Sequence, residues 1–512
     1  MAVVVDTVHG SLEGIQEEGL QSFRGIRFAK PPLGPLRFAA PESPEPWSGV
    51  RAARKFGPSA PQTETRLDAC FGLQVGEQSE DCLTLNVFTP AADGAQRPVM
   101  VWIHGGAFTI GAGSQAMYDP RALVRRGDAV LVSINYRLGA LGFLDLAEHG
   151  GDGLGATANA GILDQVAALA WVRDNIEVFG GNPQNVTIFG ESAGGMSVGT
   201  LLGMSAARGL FHRAIAQSGA AHRVNRADEA AEVAALWLNE LGIESGPVER
   251  LREIPIDAIL RAQNRCVAAV EWESAGRAFC PSVDGRTLPE HPFDAIRDGL
   301  SRHVPVVIGT ARDEWKFFGL MDPRAHELDD MGLLARIETR LCGPEAPRRA
   351  RRLVEAYRKA REGRFSTEPS ELFFAIETDR EFRIPALRLA EAQSAHQAQR
   401  PRTWAYLVCW DSPLMGGSLG ACHAIDIPFV FGSVGRRGMQ RFSGSGPDAE
   451  RLSARMMDAW LAFARGGDPN HADLPDWAPY DTERRTTLIF DREPGVSLAP
   501  FDAERSAWDG LL

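Results

Sequence analysis

One stretch sets the architecture of this chain: Asn185-Val186-Thr187-Ile188-Phe189-Gly190-Glu191-Ser192-Ala193-Gly194-Gly195-Met196-Ser197-Val198. Its first part, Val186 to Phe189, has the apolar character of a short buried strand, and a helix rich in small residues follows after a one-residue turn. Glycine at positions 190 and 194 removes side chains where strand and helix approach each other. Ser192 is therefore predicted to lie at the tip of a nucleophile elbow with its hydroxyl exposed. The Ala193 N–H, at the helix N-terminus, would face an anion forming on an attacked carbonyl.

The pattern Gly-x-Ser-x-Gly does not by itself single out Ser192, because it occurs three times in the chain. The copies run from Gly190 to Gly194, from Gly195 to Gly199 and from Gly416 to Gly420. Ser197 falls inside the helix that follows Ser192, and Ser418 lies in a glycine-rich loop without a long helical run after it. Only Ser192 has a strand before it and a helix behind it, as the motif requires. The alternative is a tight strand-to-helix turn that has a structural role only.

Length and charge exclude several classes of protein. The 512 residues contain no Ser/Gly-rich linker, no long charge block and no fixed-period repeat, so residues 1–512 are predicted to form one domain with inserted excursions. An excess of 66 acidic over 54 basic residues gives a net charge of −12, which disfavours nucleic acid and anionic lipid as partners. No signal-peptide pattern is present, and no apolar run approaches the roughly 20 residues of a membrane span. We expect a cytoplasmic protein.

The cysteines support the same compartment. They number seven, are scattered along the chain and include no Cys-x-x-Cys pair. Reduced thiols in a cytoplasmic protein are the expected state of such a set. A disulfide between Cys70 and Cys82 stays open as the alternative, because both fall in one early segment.

Strands and helices alternate in the rhythm of a parallel sheet. Val99 to Ile103 and Asp128 to Ile134 are continuous apolar runs, as expected for strands covered on both faces. Residues 160–179 carry apolar positions at helical spacing, and Gly180-Gly181 ends that helix before the strand that leads to Ser192. This order predicts the βαβ units of a doubly wound sheet. Further core strands are predicted at 304–310 and 403–410, whereas residues 226–270 and 326–400 read as helical excursions that build a lid or a pocket wall.

The loop after the first of these strands reads His104-Gly105-Gly106-Ala107-Phe108. Two consecutive glycines let a backbone turn its N–H groups into a cleft, so Gly105 and Gly106 are predicted to form an oxyanion hole that Ala193 completes. An ordinary tight turn is the alternative. His149-Gly150-Gly151 repeats the tripeptide, but it follows a segment that is no core strand. His104 is expected to hold the loop rather than to transfer protons.

A serine hydroxyl needs a base whose pKa lies near the working pH, and a histidine oriented by a carboxylate meets that need. In a chain whose nucleophile sits on such an elbow, the acid and then the histidine are expected further along. Asp313 and Glu314 both follow the strand at 304–310, and residue spacing does not choose between them. Among the later histidines (His326, His396, His423 and His471), only His423 follows a strong core strand through a suitable loop.

These motifs together carry a family resemblance. The chain resembles the type-B carboxylesterases, which include the cholinesterases, and within them the bacterial para-nitrobenzyl esterases most closely. The resemblance covers nearly the whole chain. It rests on Phe23-Arg24-Gly25-Ile26-Arg27-Phe28-Ala29, Ser79-Glu80-Asp81-Cys82-Leu83-Thr84-Leu85-Asn86-Val87, Val101-Trp102-Ile103-His104-Gly105-Gly106-Ala107-Phe108, Asn135-Tyr136-Arg137, Phe179-Gly180-Gly181-Asn182-Pro183, Gly190-Glu191-Ser192-Ala193-Gly194-Gly195 and His423-Ala424-Ile425-Asp426-Ile427-Pro428-Phe429-Val430-Phe431-Gly432.

The resemblance implies an α/β-hydrolase fold, with a mostly parallel twisted central sheet flanked by helices and large helical insertions. It assigns three roles: Ser192 is the nucleophile, Glu314 the acid and His423 the base. It also matches Gly105, Gly106 and Ala193 to the oxyanion hole, and Ser218 to a serine that supports the acid. One departure is Ala107, where many relatives have a third glycine, and its methyl group is expected to narrow the acyl side of the pocket.

The predicted function is that of a serine carboxylesterase, which hydrolyses carboxylic esters of small molecules to acid and alcohol through an acyl-enzyme. No metal and no organic cofactor are expected, and the protein is expected to be a monomer or a homodimer. Aromatic residues near the catalytic loops are candidates for an apolar pocket, with core packing as the alternative: Phe108, Trp315, Phe317, Phe318 and Trp410. Two other functions are weighed, a lipase acting on longer acyl esters and a non-catalytic cholinesterase-like interaction protein. The second is disfavoured because all three triad candidates are present.

Overall fold

The structure is a computed structural model that describes residues 1–63, 74–147, 154–243, 248–274, 278–341 and 343–511. Within these ranges 13 strands form one sheet. The strands are β1 (Ala2–Thr7), β2 (Gly10–Glu17), β3 (Leu20–Arg27), β4 (Val50–Ala52), β5 (Thr84–Thr89), β6 (Arg97–Ile103), β7 (Val130–Ile134), β8 (Gly181–Glu191), β9 (Arg213–Gln217), β10 (Val306–Ala311), β11 (Thr403–Val408), β12 (Thr486–Phe490) and β13 (Gly495–Leu498).

The centre of the sheet is parallel and its margins are antiparallel. The order is β1-β2-β3-β5-β7-β6-β8-β9-β10-β11-β12-β13, with β4 beside β2. Every neighbouring pair from β7 to β12 is parallel. The β1–β2, β2–β3, β3–β5, β5–β7 and β12–β13 pairs are antiparallel. The carboxyl ends of the parallel strands therefore meet at one edge of the sheet, which is where ligands bind in open α/β sheets.

Helices cover both faces of the sheet, because a parallel strand pair needs a crossover connection. They are α1 (Arg121–Gly127), α2 (Gly139–Phe143), α3 (Ala160–Asn175), α4 (Ala193–Leu202), α5 (Ala227–Glu240), α6 (Val248–Arg252), α7 (Ile256–Ser274), α8 (Pro292–Arg297), α9 (Glu314–Gly319), α10 (Asp330–Arg340), α11 (Ala346–Arg361), α12 (Pro369–Thr378), α13 (Ile384–Ala395), α14 (Ile427–Val430), α15 (Met439–Ser443), α16 (Pro447–Gly466) and α17 (Asp502–Ser506). Helices thus occupy both predicted excursions, 226–270 and 326–400.

Alternate residues of β6 enter two separate cores. Val99, Val101 and Ile103 pack into the cluster on one face of the sheet, whereas Met100 and Trp102 pack into the cluster on the other. This is why the strand reads as an unbroken apolar run, since both of its faces are covered. The predicted mostly parallel sheet between two helical layers is confirmed.

A π-helical turn interrupts the second excursion. Residues Asp379–Arg383 connect α12 to α13, and all five are buried although four of them carry a charge. Ion pairs between Arg383 and Asp379, and between Arg380 and Glu377, compensate for that burial. The turn lies next to the site described below.

Two sequence-based expectations fall on residues outside the described ranges. Cys70 is one of them, so a Cys70–Cys82 pairing stays open, although Cys82 itself is a buried free thiol. The His149-Gly150-Gly151 repeat is the other. None of the described helices combines the length and the apolar character needed to cross a membrane.

Candidate active site

Ser192 occupies a strained turn between β8 and α4. Its φ of 58° and ψ of −125° lie outside the common regions for a residue with a side chain, a strain typical of functional sites. Side chains are excluded on both sides of the turn, because a Cβ on Gly194 would lie 2.0 Å from the Ile103 carbonyl oxygen. Ser192 itself is partly exposed, while the residues of α4 behind it are buried. The elbow predicted from the sequence is the observed local geometry.

Glu314 reaches the imidazole of His423, and Asp313 does not. The Glu314 Oε2 atom lies 2.6 Å from His423 Nδ1. Because a carboxylate accepts hydrogen bonds, Nδ1 carries a proton and donates a hydrogen bond to Glu314. The Asp313 carboxylate instead accepts the Ala421 N–H at 3.0 Å and pairs with Arg312. The structure therefore brings Glu314 to His423. Of the two candidate acids that residue spacing left open, Asp313 does not contact the imidazole.

Two further groups hold the Glu314 carboxylate in place. Its Oε1 atom accepts the Ser218 hydroxyl at 2.6 Å and the Ala311 N–H at 2.7 Å. Glu314 is fully buried, so these two donors replace the water that a carboxylate would otherwise bind. Ser218 thus lies where the sequence prediction placed it, in contact with the acid.

His423 lies in a buried loop between β11 and α14. The rings of Phe318 and Phe382 have their centroids 4.9 Å from the centroid of the imidazole. Burial alone lowers the pKa of His423, but the carboxylates of Glu191 and Glu314 outweigh it and raise that pKa to about 9. The imidazole is thus held in an apolar cage with acidic groups at both of its nitrogens.

The Nε2 atom of His423 faces Glu191 in this structure. It lies 3.2 Å from Glu191 Oε1, and between His423 and Ser192, both of which are described, there is no hydrogen bond. Such contacts are often long in an unliganded site and tighten when substrate binds. Burial raises the pKa of Glu191 to about 8. The sequence analysis assigns no role to Glu191. The signal that could have indicated one is a charged residue within a buried strand-to-helix turn.

The loop after β6 lies beside Ser192, since a Cβ on Gly105 would lie 3.1 Å from the Ser192 Cβ. Gly106, Ala107 and Phe108 have φ values of 114°, 52° and 59°, so three successive residues are left-handed. The Gly105 N–H faces the Tyr118 hydroxyl. Within the described chain, the N–H groups of Gly106 and Ala107 donate to no protein acceptor.

This loop adds one residue to the candidate oxyanion donors. Gly106 and Ala193 remain from the predicted set, the latter because the first N–H of α4 has no acceptor within the helix. Gly105 stays a prediction, and Ala107, whose N–H has no protein acceptor within the described chain, is a further candidate donor. The available signal for Ala107 was its position, where many family members have a third glycine.

The predicted pocket aromatics divide into two groups. Trp315, Phe317 and Phe318 on α9 are half-buried, and the Phe317 and Phe318 rings lie 6.0 and 4.9 Å from His423. Phe108 and Trp410 belong to the core instead, packed against Phe143 and Phe429, each by a ring contact of about 5 Å. Sequence reasoning missed Phe382, because nothing distinguishes it from other apolar residues in a long helical segment.

Among the described residues, one cluster has ligand atoms close enough together for a metal ion, and it is separate from these catalytic candidates. It consists of Asp458, His471 and Asp473. Asp458 is already paired with Arg126, and His471 Nε2 lies 3.0 Å from the Arg455 carbonyl oxygen. Two of its three members thus already have protein partners.

The comparison with known proteins gives one family. Residues 1–508 match the carboxylesterase family. The para-nitrobenzyl esterase of Bacillus subtilis (strain 168) is 38% identical over 504 residues, which cover 98% of this chain and 97% of that protein. The phenmedipham hydrolase of Pseudarthrobacter oxydans is 36% identical, with 95% and 94% covered. A solved carboxylesterase from Geobacillus stearothermophilus shares 40% identity, with 99% of both chains covered and a TM-score of 0.88.

The resemblance read from the motifs and the expected α/β-hydrolase fold are both confirmed. The match runs through the whole chain, includes the elbow and the loops around it, and extends to the arrangement of the sheet. This chain therefore belongs to the carboxylesterase family and is a carboxylic ester hydrolase.

Proposed function

We propose that the protein is a serine esterase in which Ser192, His423 and Glu314 form the catalytic triad. The observation that carries the proposal is the hydrogen bond of 2.6 Å between Glu314 Oε2 and His423 Nδ1, beside the strained Ser192. An imidazole whose Nδ1–H is bound to a carboxylate presents Nε2 as the basic atom. That is the atom a serine nucleophile needs.

The reaction proceeds in two steps. His423 Nε2 takes the Ser192 proton as the hydroxyl attacks the ester carbonyl, and it returns the proton to the departing alcohol. Water, activated by the same nitrogen, then cleaves the acyl-enzyme. Glu314 keeps the imidazole in the required tautomer and stabilises its charged form, while Ser218 and the Ala311 N–H hold the carboxylate.

The tetrahedral oxyanion is bound by the N–H groups of Gly106, Ala107 and Ala193. Support comes from the free N–H groups of the loop after β6 and from the position of Ala193 at the start of α4. Donors fixed before the reaction stabilise the developing charge without reorganisation, and one such donor is typically worth about 10²–10³ in kcat.

The substrates are small carboxylic esters with an apolar group beside His423. The half-buried rings of Trp315, Phe317 and Phe318 supply an apolar wall there. The helical excursion at 326–400 extends this wall, since α9 packs against its helix α12. Relatives named for a nitrobenzyl ester and for phenmedipham fit a pocket of this kind.

Replacing the nucleophile tests the proposal. In Ser192→Ala, hydrolysis of nitrophenyl butyrate is expected to fall to the residual level of about 10³–10⁴ over water that the rest of such a site provides. Ser418→Ala is the matched control, because it removes an exposed serine from another Gly-x-Ser-x-Gly copy. Parental turnover in Ser192→Ala would show that Ser192 is not the nucleophile. A panel of nitrophenyl esters from acetate to palmitate, measured on the parent, separates a small-ester hydrolase from a lipase.

A further inference from the structure

The direction of an oxyanion donor is fixed by the carbonyl on the other side of its peptide group. A trans peptide is planar, so the carbonyl of one residue and the N–H of the next point in opposite directions. The Gly106 N–H is therefore oriented by whatever holds the Gly105 carbonyl. In the same way, the Ala107 N–H is oriented by whatever holds the Gly106 carbonyl.

Both of these carbonyls are held. The Gly106 carbonyl accepts the N–H groups of Thr109 and Ile110, each at 3.0 Å. The Gly105 carbonyl lies 2.8 Å from His104 Nδ1. Because a carbonyl oxygen only accepts, Nδ1 must carry the proton. The His104 side chain thus controls the peptide group that carries the Gly106 N–H.

Tyr136 controls the His104 side chain in turn. The two rings stack with centroids 4.5 Å apart and planes inclined by 21°. The Tyr136 hydroxyl donates to the His104 carbonyl at 2.8 Å. That carbonyl belongs to the peptide group between His104 and Gly105. Tyr136 therefore holds both the backbone at the start of the loop and the imidazole ring of His104.

The environment keeps this pair neutral and immobile. His104 and Tyr136 are 1% and 0% exposed. Burial lowers the pKa of His104 to about 4, so at neutral pH the ring has a single N–H, which the Gly105 carbonyl accepts. A Cβ on Gly111 would lie 2.6 Å from His104 Nδ1, so the backbone at Gly111 packs closely against the ring. Next to Tyr136, the buried ion pair of Arg137 with Asp164, at 2.7 Å, anchors the chain.

We propose that His104 and Tyr136 are positioning residues for the oxyanion hole: the His104 Nδ1–H orients the Gly106 N–H through the Gly105 peptide, and Tyr136 holds His104 in that arrangement. The inference rests on the proposed function, because an oriented donor matters only if an oxyanion forms at Ser192. Neither residue touches the substrate. Their contribution belongs to the transition state and therefore to kcat rather than to KM.

The hydroxyl of Tyr136 is tested by Tyr136→Phe, which keeps the stacked ring. We expect kcat for nitrophenyl butyrate to fall about 10-fold with KM within twofold of the parent, since part of one oxyanion donor is lost. Affinity for a trifluoromethyl ketone, which binds as a tetrahedral oxyanion adduct, should fall by the same factor. Tyr480→Phe is the matched control: it removes another buried hydroxyl, one that accepts a hydrogen bond from Arg485, and should change neither quantity.

The donor at position 104 is tested by a pair of substitutions. His104→Asn keeps an N–H close to the place of Nδ1, whereas His104→Leu removes it. We expect His104→Asn to retain kcat within about 10-fold and His104→Leu to lose about 10²-fold, the typical value of one oxyanion donor. This pair also decides the question if Tyr136→Phe does not fold.

Three results would overturn the inference. They are parental kcat in a folded Tyr136→Phe variant, equal losses in His104→Asn and His104→Leu, and losses of kcat that track the melting temperature while ketone affinity stays parental. Ser192→Ala is measured alongside. If that variant is inactive while Tyr136→Phe matches the parent, only the positioning role fails. If Ser192→Ala is as active as the parent, the proposed function itself fails.

Discussion

The Glu191 carboxyl, one residue before the proposed nucleophile in the chain, contacts the proposed base. Its Oε1 atom is 3.2 Å from His423 Nε2. That oxygen is buried and has no hydrogen-bond partner among the described side chains. The charges of Glu191 and His423 interact across this distance, so the two groups titrate as a pair rather than separately.

The raised pKa of His423 predicts the pH dependence of the reaction. The pKa of His423 is raised to about 9, so the protonated imidazole persists above its ordinary value of about 6.5 and becomes a free base only as pH rises. Turnover is thus expected to fall as pH decreases from about 9 to 6.5. In Glu191→Gln one of the three carboxylates that raise this pKa is gone, and we expect the acid limb of the kcat/KM profile to move down by about 1 pH unit or more.

The comparison variant is Glu355→Gln, which removes an exposed carboxylate from α11 and should leave the profile in place. An acid limb in Glu191→Gln that coincides with that of the parent would contradict the contact between Glu191 and the base.

At the level of elements, the site depends on how closely β6 and α4 approach each other. The Gly194 position contacts the Ile103 carbonyl so tightly that a Cβ would lie 2.0 Å from its oxygen. Backbone atoms on both sides cannot rotate away as a flexible side chain could. The same contact places the loop after β6 beside Ser192, so packing and catalysis share one constraint.

Gly194→Ala is therefore expected to lower the free energy of unfolding by about 3 kcal/mol, as overpacking of a rigid site does. Thermal unfolding of the whole chain provides the measurement. Gly466→Ala, in the last turn of α16, meets no atom within 4 Å and should raise stability slightly, by about 0.5–1 kcal/mol. Equal melting temperatures for Gly194→Ala and the parent would contradict the tight approach.

Sequence patterns located the elements around the site and misplaced some of their ends. The helix predicted at 160–179 is α3, Ala160–Asn175, continued by a 3₁₀ turn to Phe179 that Gly180 ends with a φ of 84°. The strand before Ser192 begins at Gly181 rather than at Val186. The first part of this strand contains the polar residues Asn182, Gln184 and Asn185, so hydrophobic periodicity does not indicate a strand there.

The contacts within the site were less predictable than the elements. The order of Ser192, an acid and His423 follows from the motif, but residue spacing could not separate Asp313 from Glu314, since the choice depends on where α9 begins. Ala107 and Glu191 depend on peptide and side-chain directions in a strained loop. Periodicity carries no information on such directions.

At the scale of the whole molecule, one edge of a parallel sheet brings the functional groups together. Ser192 follows β8, Glu314 follows β10 and His423 follows β11, and β8 to β11 are successive neighbours. Residues more than 200 positions apart in the chain thereby come to the same edge of the sheet. The cytoplasmic location and the monomeric or dimeric state stay predictions, as does the formation of one domain by residues 1–512.

The central claim is that Ser192 is the residue that becomes acylated. The direct measurement is inactivation with a fluorophosphonate, followed by mass spectrometry of the peptide that contains residues 181–202. We expect one adduct per chain, located on Ser192, with activity lost in proportion to labelling. Loss of activity with Ser192 unmodified, or full activity with Ser192 modified, would contradict the account.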